Sequence, residues 1–296
     1  MSRPRRVISV LTYKGGPGKT TVATNLVPAL VQSDTGQNGS TEKKRVLLID
    51  CDLQGNASSL LYARSGKTLT HVLKREATIE EAVHDTRAGL PELIEQYPGK
   101  ASMYQTMYEK REGFYMLPSD MQLYTAGNYI TSSGAGAYNV LRNAIKRLQI
   151  DFDYIIIDHA PSYNAVTEAA LLASDELLIP CELTPYCVDG LVQMVTHLQK
   201  VMSDADHELK ITAIIPVKLD QRFKKLNEKY FKDLEKHFGN LIPTIPDQGR
   251  LAIRIDSTVT WAQAARQTVF EYDPTCKAAK DFTGLATLLS TQKVGI

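Results

Sequence analysis

The feature that most constrains this 296-residue chain is an apolar run at residues 6–12 (RVISVLT) that passes directly into KGGPGKTT at 14–21. Residues compatible with a helix follow from Thr20. A strand, a glycine-rich turn and a helix in immediate succession gather the loop N–H groups and the helix N-terminus into an anion cradle. Gly18, Lys19 and Thr20 fit the end of the phosphate-loop pattern G-x-x-x-x-G-K-[ST], but Tyr13 stands where its first glycine belongs. A second lysine, Lys14, follows at once.

Further short runs of β-branched and aliphatic residues recur at 45–50, 114–117, 154–158, 176–180 and 211–217, with a weaker one at 241–245. Most are apolar throughout rather than alternating, the pattern of strands covered on both faces. Helical patterns between them imply an α/β fold: a doubly wound, mostly parallel sheet flanked by helices. The polar stretch 33–44 reads as a surface loop, and 134–136 (GAG) as a turn before a helix from about Tyr138. Residues from about 62 to 112 have weak helical character and no apolar strand. They are expected to be a helical insertion in a single domain spanning 1–296.

Composition narrows the function classes. A net charge of +1 gives no global attraction to nucleic acid, so any such role needs a local patch. No apolar run has the length of about 20 residues that a membrane-spanning helix requires, which points to a cytoplasmic protein. Cys51, Cys181, Cys187 and Cys276 lack metal-ligand or disulfide spacing and read as free, mostly buried thiols.

The chemistry gathers at strand ends. In the loop, Gly15, Gly16 and Gly18 let the main chain approach phosphates, with Pro17 among the loop's ATP-binding residues and Thr21 at the start of the helix. Lys19 would reach the β- and γ-phosphates and the Thr20 hydroxyl would ligate Mg²⁺. The second strand ends in Asp50-Cys51-Asp52, where one carboxylate could serve Mg²⁺ through water while the other orients an attacking water. A third ends in Asp158 after YIII, the pattern of the acid that holds Mg²⁺ through water. An apolar run ending in Asp says little by itself; three strand ends supplying lysine, hydroxyl and carboxylates together point to one site.

KGGPGKTT resembles the deviant Walker A motif, K-G-G-x-G-K-[ST], of the ParA/MinD family of dimeric P-loop ATPases. LLIDCDLQGN, IIIDHAPS, LLIPCELTPYCVDGL and EYDP (271–274) follow in the family's order, so the resemblance runs from about residue 6 to 290. It is greatest to the ParA proteins that segregate plasmids and chromosomes. The resemblance implies ATP and Mg²⁺ as cofactors and a homodimer formed on ATP, with Lys14 reaching the partner subunit's nucleotide. It makes Asp52 the water-positioning residue, puts Asp50 and Asp158 near Mg²⁺, and places Gln54 and Asn56 in a first switch. The family often has D-x-P-P where this chain has Asp158-His159-Ala160-Pro161, so the second switch lacks a proline.

The stretch 218–237 carries seven Lys or Arg against four acids, with Leu226, Tyr230 and Leu234 as an expected buried stripe. By resemblance it is a site of nonspecific DNA binding, through Arg222, Lys224 and Lys225 together with Arg250 and Arg254. The implied protein is a slow, partner-stimulated ATP hydrolase associated with the nucleoid, working with a ParB-type centromere-binding partner. Positioning of a protein cargo on the nucleoid is the alternative. A MinD-like membrane role is disfavoured because the C-terminal stretch DFTGLATLLSTQKVGI has no cationic face. An iron–sulfur role is disfavoured by the close spacing of Cys181 and Cys187.

Overall fold

The computed structural model describes residues 5–33, 43–61, 66–245 and 249–291. Most of the polar stretch 33–44, residues 62–65 of the expected insertion, 246–248 and the last five residues of the C-terminal stretch lie outside the described residues.

The strands are β1 (Arg6–Val10), β2 (Val46–Cys51), β3 (His84–Asp85), β4 (Phe114–Leu117), β5 (Tyr154–His159), β6 (Glu176–Glu182), β7 (Lys210–Leu219), β8 (Thr244–Ile245), β9 (Gly249–Arg250) and β10 (Ile253–Arg254). Eight of them form one sheet in the order β10-β7-β6-β1-β5-β2-β4-β3. All its pairings are parallel except that of β3 with β4. β1 lies between β5 and β6, so the chain reverses its winding direction there and the loop after β1 opens at the sheet's switch point.

The helices are α1 (Lys19–Gln32), α2 (Asn56–Leu60), α3 (Leu69–Leu73), α4 (Ile79–Ala82), α5 (Leu90–Gln96), α6 (Ala101–Lys110) and α7 (Leu123–Ser132), followed by α8 (Val140–Arg147), α9 (Ala165–Leu172) and α10 (Cys187–Asp204). Toward the C-terminus come α11 (Lys224–Phe238), α12 (Ser257–Ala264), α13 (Val269–Tyr272) and α14 (Lys277–Thr291). They cover both sheet faces. Alternate strand residues divide accordingly: Ile8, Val10, Leu48 and Ile156 join α1 and α14 in one core, while Val7, Leu47, Ile49 and Ile157 join α3, α7, α8 and α9 in another. A third core holds Leu177, Ile179 and Ile214 under α10 and α11. This two-sided burial is why the strands read as unbroken apolar runs.

Two ion pairs are buried in this frame. Arg6 meets Glu176 at 2.6 Å, and Arg111 meets Glu271 at 2.5 Å with both side chains almost inaccessible. Glu271 also accepts from the Thr268 N–H as the capping partner at the start of α13. The first residue of EYDP therefore joins α6 to the C-terminal helices.

In the region after 62 a two-residue polar strand, β3, adds to the sheet edge beside β4. Two expectations need correction. The run at 241–245 contributes only Thr244 and Ile245, paired antiparallel with β9 outside the main sheet. On α11 the buried side chains are Phe231 and Leu234, whereas Leu226 is 45% exposed, because α11 is docked on a face turned from the one first expected. Among the described residues no helix is long and apolar enough to cross a membrane.

Candidate active site

The loop between β1 and α1 owes its shape to two glycines in the left-handed region, Gly16 at φ 89° and Gly18 at φ 78°. Side chains are strained there, and Gly18 is also the residue that caps α1. A Cβ built on Gly15 or Gly16 meets nothing within 4 Å, so the loop borders open space in which a ligand can approach the backbone.

Lys19 is buried, and its ammonium donates to the Lys14 carbonyl at 3.3 Å, across the loop. Burial pushes its pKa down, while Asp158 and Asp52 oppose that shift. Thr21 Oγ1 accepts from Gln263 at 3.0 Å, tying the loop to α12. Lys14 is exposed and among the described residues has no carboxylate partner.

The register of the sheet sets the carboxylates side by side. Asp50 on β2 is the direct neighbour of Asp158 on β5, and Asp158 is also the neighbour of Val10 on β1. Asp50 is fully buried and accepts from the Asp52 N–H at 3.0 Å, the Ser58 N–H at 2.9 Å and the Ser58 hydroxyl at 2.7 Å. Burial nevertheless pushes its pKa up to about 6. Asp158 is equally buried, and neither oxygen has a hydrogen-bond partner of ordinary geometry. Burial and then Asp50 raise its pKa well above the usual range; the nearby Thr20 hydroxyl and Lys19 only moderate this. Asp52 is half-buried and accepts from the Gln54 N–H at 3.0 Å, which shapes the turn leading to α2. Gln54 and Asn56 are exposed.

The structure therefore brings Lys19, Thr20, Asp50, Asp52 and Asp158 together beside the loop. A buried acid with unused oxygens next to a hydroxyl and a lysine suits a hydrated divalent cation held largely by phosphates, the usual mode for Mg²⁺. Among the described residues no three His, Cys, Asp or Glu side chains form a self-sufficient metal cluster. Beyond Asp158, where Ala160 stands in place of a proline common in the pattern this segment resembles, Thr167 Oγ1 donates to the Ser162 carbonyl and Asn164 caps α9 through the N–H groups of Val166 and Thr167.

Sequence reasoning missed a recess of about 340 Å³ on the other side of the loop, lined by Gly18, Thr21, Val217, Ile255, Val259 and Gln263. Lys218 beside it has φ 53°, a left-handed conformation costing on the order of 1 kcal/mol in a non-glycine residue. The signal available in the sequence was slight: the end of β7 and the start of α12 are remote from the loop in the chain.

The five candidate DNA-contacting residues do not form one free patch. Arg222 is exposed and held bidentately by Asp220, and Lys224 and Lys225 are exposed with no ion-pair partner among the described residues. Arg250 is engaged by Glu228 and Glu235 at 2.6 and 2.5 Å and lies 4.9 Å over the Phe231 ring. Arg254 is engaged by Asp281 at 2.7 Å. Arg250 and Arg254 are thus partly buried braces within the fold, whereas Arg222, paired with the nearby Asp220, keeps its side chain 83% exposed. All four cysteines are free and buried.

A family model described as an AAA domain matches residues 5–211. An uncharacterised protein of Pseudomonas putida is 34% identical over 83% of both chains. The chromosome partitioning protein ParA of Caulobacter vibrioides is 28% identical over 96% of this chain and 94% of its own. Among solved structures, a McdA variant from Cyanothece in complex with ATP has a TM-score of 0.71 at 24% identity, covering 99% of each chain.

Proposed function

The chain belongs to the ParA/MinD family of P-loop ATPases, and on that premise we propose that it binds and slowly hydrolyses ATP, pairs with a second copy around the nucleotide, and holds DNA without sequence preference while ATP remains. The observation that carries this reading is Asp158: a fully buried carboxylate with no ordinary hydrogen-bond partner, beside Lys19, Thr20 and Asp50. Such an arrangement is costly unless a cation completes it.

In this reading Gly15, Gly16, Pro17, Gly18 and Thr21 wrap the phosphates with Lys19 and Thr20, Lys14 binds the nucleotide of the partner subunit, and the recess beside Thr21 takes the base. Thr20, with Asp50 and Asp158 behind it, holds Mg²⁺. Bound there, Mg²⁺ would neutralise charge developing on the phosphates. Asp52, half-buried at the mouth, orients the attacking water. Lys14, exposed and without a carboxylate partner, is presented to the second subunit, where a cation supplied in trans couples hydrolysis to pairing. The exposed apolar side chains of Leu53, next to Asp52 in the chain, and of Tyr186, which lines a cavity with Lys14, suit a surface covered by that subunit.

For DNA we propose Arg222, Lys224 and Lys225 as the phosphate contacts, with Arg250 bracing α11 and Arg254 bracing α14. A ParB-type partner would stimulate turnover, and the protein would act in the cytoplasm on the nucleoid to segregate plasmid or chromosomal DNA. The helices between 66 and 112 would be an insertion in one ATPase domain. Retention on random duplex DNA in the presence of ATP, ADP or no nucleotide tests the reading. ATP-dependent retention supports it; equal retention in all three states, or binding only to anionic liposomes, contradicts it.

A further inference from the structure

Tyr13 stands where the standard phosphate loop has glycine, and its side chain leaves the loop to join α10. Its hydroxyl lies 2.9 Å from His197 Nδ1. Its ring meets Tyr163 edge-on at 6.0 Å, and Tyr163 in turn meets His197 at 4.8 Å. This three-ring cluster ties together three segments that border the site: the loop at Lys14, the chain just beyond Asp158, and α10. Lys14, the next residue along, lines a cavity of about 500 Å³ with Tyr13, Tyr186, Cys187 and His197.

We propose that Tyr13 and His197 form a positioning clamp that fixes where the loop presents Lys14. The inference rests on the ATPase reading above and adds a residue on α10, His197, whose contacts are to Tyr13 and Tyr163. The hydroxyl can donate to Nδ1 or accept from it, whichever the imidazole tautomer requires. The Tyr13 side chain is half-buried, and that burial raises the pKa of its phenol. Freed from His197, the loop would keep its glycine-determined shape but would no longer hold the Lys14 backbone in one place. A small displacement of a group that must meet the partner's phosphates costs much of its effect.

The test compares Tyr13→Phe, His197→Ala and His197→Asn, each alone and with Lys14→Ala, by ATP turnover at saturating and limiting ATP and by thermal melting. Asparagine places an acceptor near the Nδ1 position. Tyr13→Phe and His197→Ala should lower kcat by roughly tenfold to a hundredfold with little change in KM or melting temperature. His197→Asn should lie closer to wild type, and none of the three should lower the residual rate of Lys14→Ala further. Unchanged kcat in Tyr13→Phe, or an equal loss in the Lys14→Ala background, overturns the clamp alone. A wild-type chain without ATP turnover would overturn the parent reading and the clamp with it.

Discussion

Asp50 and Asp158 face one another as direct neighbours across β2 and β5, both fully buried, yet only Asp50 has its oxygens occupied by hydrogen bonds. Two adjacent buried acids destabilise the empty site, and burial raises both pKa values, that of Asp50 to about 6. The fold sustains this arrangement because β2 and β5 are fixed by the sheet.

Asp158→Asn should therefore stabilise the protein free of nucleotide and metal while abolishing turnover. A carboxyl whose folded pKa is raised contributes stability that is fully present below its unfolded value near 3.9 and lost as pH rises through the folded value. The variant should exceed wild type by roughly 1–3 kcal/mol at pH 8, with the gap narrowing toward pH 5. His159, buried and with its pKa pushed down to about 3, loses stability on acidification, but it is common to both proteins and drops out of the difference. A constant gap, or a less stable variant, in melts across this range would refute the cause given.

Lys14→Ala should leave ATP affinity near the wild-type value, because Lys19 rather than Lys14 is the buried lysine of the loop. It should lose ATP-dependent pairing and at least about a hundredfold in turnover, on the scale of other cations supplied in trans. Fluorescent-nucleotide titration and light scattering separate the two effects.

Replacing Arg222, Lys224 and Lys225 by alanine should weaken binding to random duplex and reduce the salt slope by roughly 0.9 for each phosphate that is no longer neutralised. Arg250→Ala should instead lower stability by about 1 kcal/mol, since it removes the guanidinium from Glu228, Glu235 and Phe231. Loss of DNA affinity at unchanged stability in Arg250→Ala would show that its guanidinium turns to the phosphates.

Glu271→Gln should lower stability by roughly 3–5 kcal/mol, the cost of breaking a buried ion pair, seen as a melting temperature lower by about 6 °C or more. The folded fraction should retain its ATP affinity. An unchanged melting temperature would remove the structural role assigned to the Arg111 contact.

Much of this was legible in the chain. The longer apolar runs became the strands of the sheet because burial on both faces leaves a mark in sequence; Asp50 and Asp158 stand at strand ends where the register collects them, and Lys19 and Thr20 open α1 beside them. What escaped depended on contacts distant in sequence. Arg250 and Arg254 look like free cations until Glu235 and Asp281 are seen beside them. Leu226 has the spacing of a core residue, but the docking of α11 selects Phe231 and Leu234 instead. The edge strands β3 and β10 are two residues each, too short for any periodicity to show. Nothing in Tyr13's neighbours announces a ring on α10 as its partner.

The most direct test of the central claim is sedimentation velocity of Asp52→Ala with Mg²⁺-ATP, Mg²⁺-ADP or no nucleotide, with and without random duplex DNA. Asp52→Ala should pair and co-sediment with DNA in ATP alone, stalled before hydrolysis. A monomer in all three states, or a dimer that ignores the nucleotide, would contradict the account.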